Sequence, residues 1–397
     1  MNHNLSRLFS IAQKEKRYII GLMSGTSLDG LDIALCAVEG HGMDTKLTLE
    51  HFVTVPYPAD VKNKIKKIFA KEKVDFGYLV LLNGWIGKLH GKWIKECLHN
   101  WKIDPKEIDV IASHGQTVFH YPKIYHNLDE YEDATLQIGD GDHIAVETGI
   151  ITISDFRQKH IAAGGEGAPL ALYGDYCLFS KKGEDRVLLN MGGIANFTFL
   201  PGSLDVEKVM VTDTGPGNTL LDCFTQLLFK KDFDKDAVFA LAGSVNENLV
   251  ASLKKNNFFS GPFPKTTGPE LFSKEYVERA QEESSTTQIS PNDLLATLTR
   301  FSADTIADAI NTALKENDQY KIYVSGGGAH NPLLLKWIKE QLLVKEIKST
   351  EEIGVPGDAK EAILFAVLAN ETLFGTPIDF RRKGMPSVTM GKISFPE

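Results

Sequence analysis

Twice along this chain an apolar run of strand length folds back through a loop of glycine and small polar residues. The first copy is YIIGLMSGTSLDGLDIALCAV from residue 18, the second RVLLNMGGIANFTFL from residue 186. Strand, polar turn, strand is a hairpin signal, and one copy in each half reads as a weak internal repeat. Residues 47–54 can add a third strand to the first hairpin. Apolar residues at helical spacing follow over 59–69 and 74–99, before IDVIASHG returns to a short buried strand. In the second half, helical spacing at 218–229, 246–254 and 292–314 encloses the turn-rich stretch FFSGPFPKTTGPE. KIYVSGGGAHNPLLLKWIKEQL then reads as strand, triple-glycine turn and helix, and AKEAILFAVLANETLFG as a last apolar helix. Residues 1–16, polar and mixed in charge, form an extra arm. A chain of 397 residues with this alternation predicts two α/β domains, with ligands in the cleft between them.

Composition narrows the function. With 43 Lys and Arg against 52 Asp and Glu, the net charge of −9 supplies no field for a phosphodiester backbone, which argues against nucleic acid. Cys36, Cys97, Cys177 and Cys223 lie far apart without CxxC spacing, against both structural zinc and a disulfide scaffold. The amino terminus holds neither a signal-peptide apolar region nor a membrane span, so the chain is read as cytoplasmic, with no membrane partner.

The loops carry the chemistry. The turn Ser24-Gly25-Thr26-Ser27-Leu28-Asp29-Gly30 gathers backbone N–H groups and hydroxyls at one tip, a cradle for phosphate oxygens. Asp29 or Asp32 can reach a magnesium ion through water. The alternative is an ordinary turn whose Ser, Thr and Asp bond their own backbone. Three further loops favour the cradle: 190–196 with Gly192, Gly193 and Asn196, 213–218 with Asp213 and Asn218, and 325–331 with Gly326, Gly327 and Gly328. No GxxxxGK[ST] occurs, and no GxGxxG opens a βαβ unit. Two phosphate-type hairpins and a strand–GGG–helix turn match instead the nucleotide clamp of actin, hexokinase and Hsp70.

Nine segments, GLMSGTSLDGLDIAL, SHGQTVFHYP, LQIGDGDHIAVETGI, DFRQKHIAAGGEGAPL, NMGGIANFT, DTGPGNTLLD, ATLTRFSADTIA, VSGGGAHNPLL and AKEAILFAVLA, run in order from about residue 18 to the carboxyl end. Together they resemble the anhydro-N-acetylmuramic acid kinase family. The resemblance implies a two-domain actin-like ATPase (ribonuclease H-like) fold. Its first domain would span 17–150, completed by 372–397, and its second 151–371. It also implies a homodimeric enzyme of cell-wall recycling that uses ATP with Mg2+. Such an enzyme opens the 1,6-anhydro ring of its amino sugar with water and phosphorylates O6. By carry-over, Gly25, Thr26, Ser27, Leu28, Asp29, Gly30, Leu31 and Asp32 form the ATP loop. Gly192, Gly193 and Asn196 face the phosphates, and Gly326, Gly327 and Gly328 the adenosine. His114, Gln116, Thr117, Asp213 and Asn218 are assigned to substrate, and Asp29 and Glu361 to the metal.

Ring opening needs a base near the sugar. Where the family reads DFRxRDxAxGGQGAP, this chain has His160 in place of the aspartate and Glu166 in place of the glutamine. A neutral imidazole is a competent base near neutral pH, so His160, Glu166 and Asp155 are the expected catalytic residues. Glu166 either repels a substrate carboxylate or serves as a replacement base, and Asp155 and Arg157 either pair with each other or touch substrate. Pro269 stands where the family usually has an arginine. These departures keep two other readings open: an amino-sugar kinase without ring hydrolysis, and a non-catalytic ATP-binding sensor.

Overall fold

The computed structural model describes residues 2–268, 270–315, 319–342, 346–382 and 384–397. The substitution at Pro269 therefore lies outside the described residues. The amino-terminal arm is largely a helix, His3–Ala12, whose first turn is capped by the Asn2 side chain.

The first compact unit comprises Met1–Phe179 and Ala359–Glu397. Its sheet begins as an antiparallel meander of β1 (Lys16–Ser24), β2 (Gly30–Glu39) and β3 (Lys46–Pro56). On the other side of β1 lies β4 (Val110–Tyr121), parallel to it, with β5 (Ala134–Ile138) folded back on the second half of β4. Then come β6 (Thr152–Ser154), parallel to β4, and the edge strand Lys392–Ser394. β1 is a nearly continuous apolar run because helices cover both of its faces. Ile86 and Ile94 of helix Phe76–Trp101 share a core with Ile20 and Leu22. On the opposite face, the backbone of helix Lys360–Leu373 lies directly over Gly21.

The second unit is Ser180–Asp358. Its sheet repeats the scheme with β7 (Asp185–Met191), β8 (Ile194–Leu200) and β9 (Met210–Pro216) as the meander. β10 (Tyr320–Ser325) lies parallel to β7, and β11 (Ile347–Ser349) parallel to β10. Val187, Leu189 and Phe197 pack against Ala303, Ile306 and Ile310 of helix Pro291–Ala313. A helical insertion between β9 and β10 has its own core around Leu220, Phe224, Leu249 and Phe272.

Both sheets thus share one order, third, second, first, fourth, with the first and fourth strands parallel. The repeated hairpin in the sequence is a repeat of topology, the ribonuclease H-like order of actin-like ATPases. One expectation needs correction. The unit boundaries fall at 179/180 and 358/359 rather than 150/151 and 371/372. Residues 151–179 stay with the first unit because β6 pairs with β4 and Asp175 binds Lys360 Nζ at 3.0 Å. SHGQT lies within β4, whose far half takes its backbone partners from β5.

Candidate active site

The loop between β1 and β2 opens onto a cavity of about 380 Å3. Gly25, Thr26, Ser27, His114, Thr117 and Glu361 line it, six of the residues singled out in the sequence, together with Arg157. The rest of the loop does other work. Leu28 and Leu31 are core side chains, 4% and 1% exposed, so only their backbone is available to a ligand, contrary to a side-chain role. Gly30 is needed for packing: a Cβ there would lie 2.5 Å from the Val55 carbonyl oxygen. Asp29 Oδ1 accepts from the Ser27 hydroxyl at 2.6 Å and the Gly30 N–H at 3.0 Å, and Asp32 Oδ1 accepts from Thr54 Oγ1 at 2.6 Å. The ordinary-turn reading is therefore true of Asp29 while Gly25 to Ser27 stay open to the cavity.

One cation dominates this cavity. Arg157 Nε donates to His114 Nε2 at 2.9 Å and its NH1 group to the Gly167 carbonyl at 2.7 Å. His114 Nδ1 donates to the Gly115 carbonyl at 2.8 Å, which fixes the neutral tautomer. Burial, helped by the Arg157 charge, pushes the His114 pKa down to about 3. Burial likewise lowers Arg157 to about 10, with Glu361 opposing. Glu361 is exposed along the cavity. Desolvation by the surrounding protein raises its pKa, Asp32 adds to the rise, and Arg157 opposes it. Among the described residues no three His, Cys, Asp or Glu side chains are placed to hold a metal alone. The mutual repulsion of Asp29, Asp32 and Glu361 does suit a magnesium ion that arrives with nucleotide phosphates and keeps most of its waters.

The expected catalytic residues are placed differently. His160 is fully buried, its Nδ1 accepts from the Gly167 N–H at 3.0 Å, and its Nε2 is buried without a partner. Burial pushes its pKa down to about 4, and its ring meets Tyr173 edge-on. It props the Gly165–Gly167 turn rather than standing in the cavity as a base. Glu166 is exposed and outside the cavity lining. Asp155 pairs with Lys392 Nζ at 2.6 Å, not with Arg157, and borders a separate cavity of about 600 Å3 beside Phe76. Gln116, assigned to substrate, is completely buried and hydrogen-bonded within the protein.

In the second unit the three predicted loops converge. The Gly217 N–H donates to Gly193 O and the Asn218 N–H to Gly192 O, both at 2.8 Å. Asn218 Nδ2 donates to Met191 O at 3.1 Å, so this side chain ties loops together where a sugar contact was expected. Gly326 has φ +80°, and a Cβ there would lie 2.7 Å from Asn190 Oδ1; only glycine fits so close to that loop. Gly327 and Gly328 border Asn218, and Asn196 pairs with Asn190 across β8 and β7. Asp213 Oδ2 accepts from the Thr267 N–H at 2.8 Å, and burial pushes its carboxyl up to about 6. A carboxyl whose pKa rises on folding favours the protonated fold, a contribution complete below the ordinary aspartate range and lost as pH rises through about 6. Asp213→Asn keeps an acceptor without the charge. It is expected to raise the unfolding temperature over wild type by roughly 2–4 °C at pH 8 and not at pH 3.5, read from thermal melts.

A sequence profile for anhydro-N-acetylmuramic acid kinase matches residues 17–392. This chain belongs to the anhydro-N-acetylmuramic acid kinase family. It is 54% identical to the anhydro-N-acetylmuramic acid kinase of Pseudoalteromonas atlantica, with both chains covered in full. It is 40% identical to that of Caldanaerobacter subterraneus subsp. tengcongensis, over 98% of this chain and 100% of the relative. Solved structures align distantly: hexokinase from Schistosoma mansoni complexed with glucose gives a TM-score of 0.37 at 10% identity, over 90% of this chain and 86% of the other. The chain is thus an enzyme, a kinase by family. Among the described residues no helix is long and apolar enough to cross a membrane.

Of the two alternatives for Arg157, the structure excludes the pair with Asp155 and puts Arg157 in the cavity lining, where Thr135 and Gln137, absent from the sequence candidates, join it. Arg157 was legible as a charged residue in an otherwise small-residue motif. Thr135 and Gln137 carried no signal, because β5 reaches the cavity only through its pairing with β4.

Proposed function

We propose that this chain transfers the γ-phosphoryl group of ATP to O6 of 1,6-anhydro-N-acetylmuramic acid while water opens the anhydro bridge at C1. The products are N-acetylmuramic acid 6-phosphate and ADP, and the setting is cell-wall recycling. The observation that carries the reading is the cavity in which Gly25, Thr26 and Ser27 face Arg157 and Glu361, in a chain matched by its family over nearly its full length. Phosphoryl transfer asks mainly for positioning and neutralised charge. In this reading the Gly25–Ser27 loop takes the terminal phosphates, and Arg157 balances the charge on the transferred group. By the family resemblance, Gly192, Gly193 and Asn196 are assigned to the phosphates and Gly326 to Gly328 to the adenosine. Magnesium, bound with the nucleotide near Asp29 and Asp32, would supply charge neutralisation. Cytoplasmic residence and a homodimer, the latter implied by the family resemblance, belong to the same proposal.

The base for the attacking water is assigned to Glu361. It is exposed at the cavity, as a group that takes a proton from water must be. The burial of His160 supports a second reading, a kinase of open amino sugars without ring hydrolysis. ADP release with Mg·ATP and the anhydro sugar, run in water enriched in heavy oxygen, separates them. Label at C1, kept in His160→Gln and at least a hundredfold slower in Glu361→Gln, is the expected result. ADP release with open sugars alone would establish the second reading, and no release with any sugar would favour an ATP-binding sensor.

A further inference from the structure

Two buried polar side chains, Tyr57 and His90, belong to none of the motifs, and hydrogen bonds connect them to the glycine loop. The Gln116 amide donates to the carbonyl oxygens of Gly25 at 2.8 Å and Thr117 at 2.9 Å. With both hydrogens used, Gln116 Oε1 accepts, and it takes the Ser24 hydroxyl at 2.5 Å. Ser24 Oγ, having donated its hydrogen, accepts from the Tyr57 hydroxyl. The Tyr57 oxygen then accepts from His90 Nε2 at 3.0 Å. Each hydroxyl has a single hydrogen, so the direction of the chain is fixed from end to end, and His90 must carry its proton on Nε2. Burial holds the His90 pKa near about 3, which keeps the ring neutral, and Nδ1 is left without a partner. All four side chains are at most 3% exposed. A backbone bond from the Tyr57 N–H to Asp29 O at 2.9 Å ties the same residue to the loop a second time.

We propose that Tyr57 and His90 are positioning residues of the glycine loop, acting through Ser24 and Gln116 to set the orientation of the Gly25–Thr26 peptide. The peptide is planar and trans, so a Gly25 carbonyl held against Gln116 points the Thr26 N–H the opposite way, toward a phosphate oxygen. His90 lies on helix Phe76–Trp101, so the loop is registered against a rigid core element rather than against its own turn. The inference rests on the reading of this loop as the ATP-phosphate site.

Steady-state kinetics with Mg·ATP and the anhydro sugar test it. Tyr57→Phe removes one oxygen, and so does His90→Leu its donor; each is expected to raise KM for Mg·ATP about tenfold with kcat and the sugar KM within twofold. His90→Gln, which keeps an N–H donor near the Nε2 position, is expected to restore the wild-type KM. The double variant Tyr57→Phe/His90→Leu is expected to be no worse than either single one, because both cut the same chain. Gly25→Ala, measured beside them, places a methyl in the phosphate cradle and is expected to raise the same KM. If Gly25→Ala raises it while Tyr57→Phe changes only the unfolding midpoint, the positioning role is overturned. If Gly25→Ala leaves it unchanged, the phosphate reading falls and the inference with it.

Discussion

Arg157→Met is expected to lower kcat/KM about a thousandfold, roughly 4 kcal/mol of transition-state stabilisation. The substitution removes the cavity's cation and leaves His114 Nε2 and the Gly167 carbonyl without their donor. It also removes the charge that opposes the rise of the Glu361 pKa. Glu361 then stays protonated to higher pH, so the acid limb of the kcat profile moves up in pH. Arg157→Lys keeps a charge but cannot reproduce the fork that reaches His114 and Gly167 together, and is expected to recover only part of the loss. Rate profiles against pH for the three proteins check this. A loss of rate without any move of the acid limb would detach Arg157 from Glu361.

Gly21→Ala carries the largest expected effect on stability. A Cβ at Gly21 would lie 1.9 Å from the Ala362 carbonyl oxygen and 3.1 Å from the Ala366 nitrogen, both helix backbone. No side-chain rotation relieves that clash. Either helix Lys360–Leu373 lifts from β1 or β1 shifts in the sheet, and the expected cost is about 3 kcal/mol or more. Since Glu361 sits one residue before Ala362, activity falls as well. Gly25→Ala is the control, because its added carbon would meet only the Met23 terminal methyl at 3.4 Å. Urea unfolding of both variants checks the contrast, with Gly25→Ala expected near the wild-type midpoint.

Gly21 and Gly25 look alike in the motif GLMSG, and tertiary structure separates a packing glycine from a ligand-facing one. His160 makes the same point. Its place in the motif suggests a base, but the helix Phe156–Ala162 turns it inward onto Tyr173 and the Gly167 N–H. Arg157 pairs with His114 rather than Asp155, because Asp155 lies across in reach of Lys392 near the carboxyl end.

The duplicated hairpin, the glycine loops and the family are legible along the chain alone. All three rest on local signals: strand-length apolar runs, turn residues and ordered motifs. Tertiary structure decided which of those residues share a cavity, where the units divide, and which polar groups are buried. Those outcomes depend on contacts between residues far apart in the chain, such as Gly21 with Ala362 and Ser24 with Gln116. A buried hydrogen bond fixes its partners only when packing has excluded water from both, and no spacing along one strand records that.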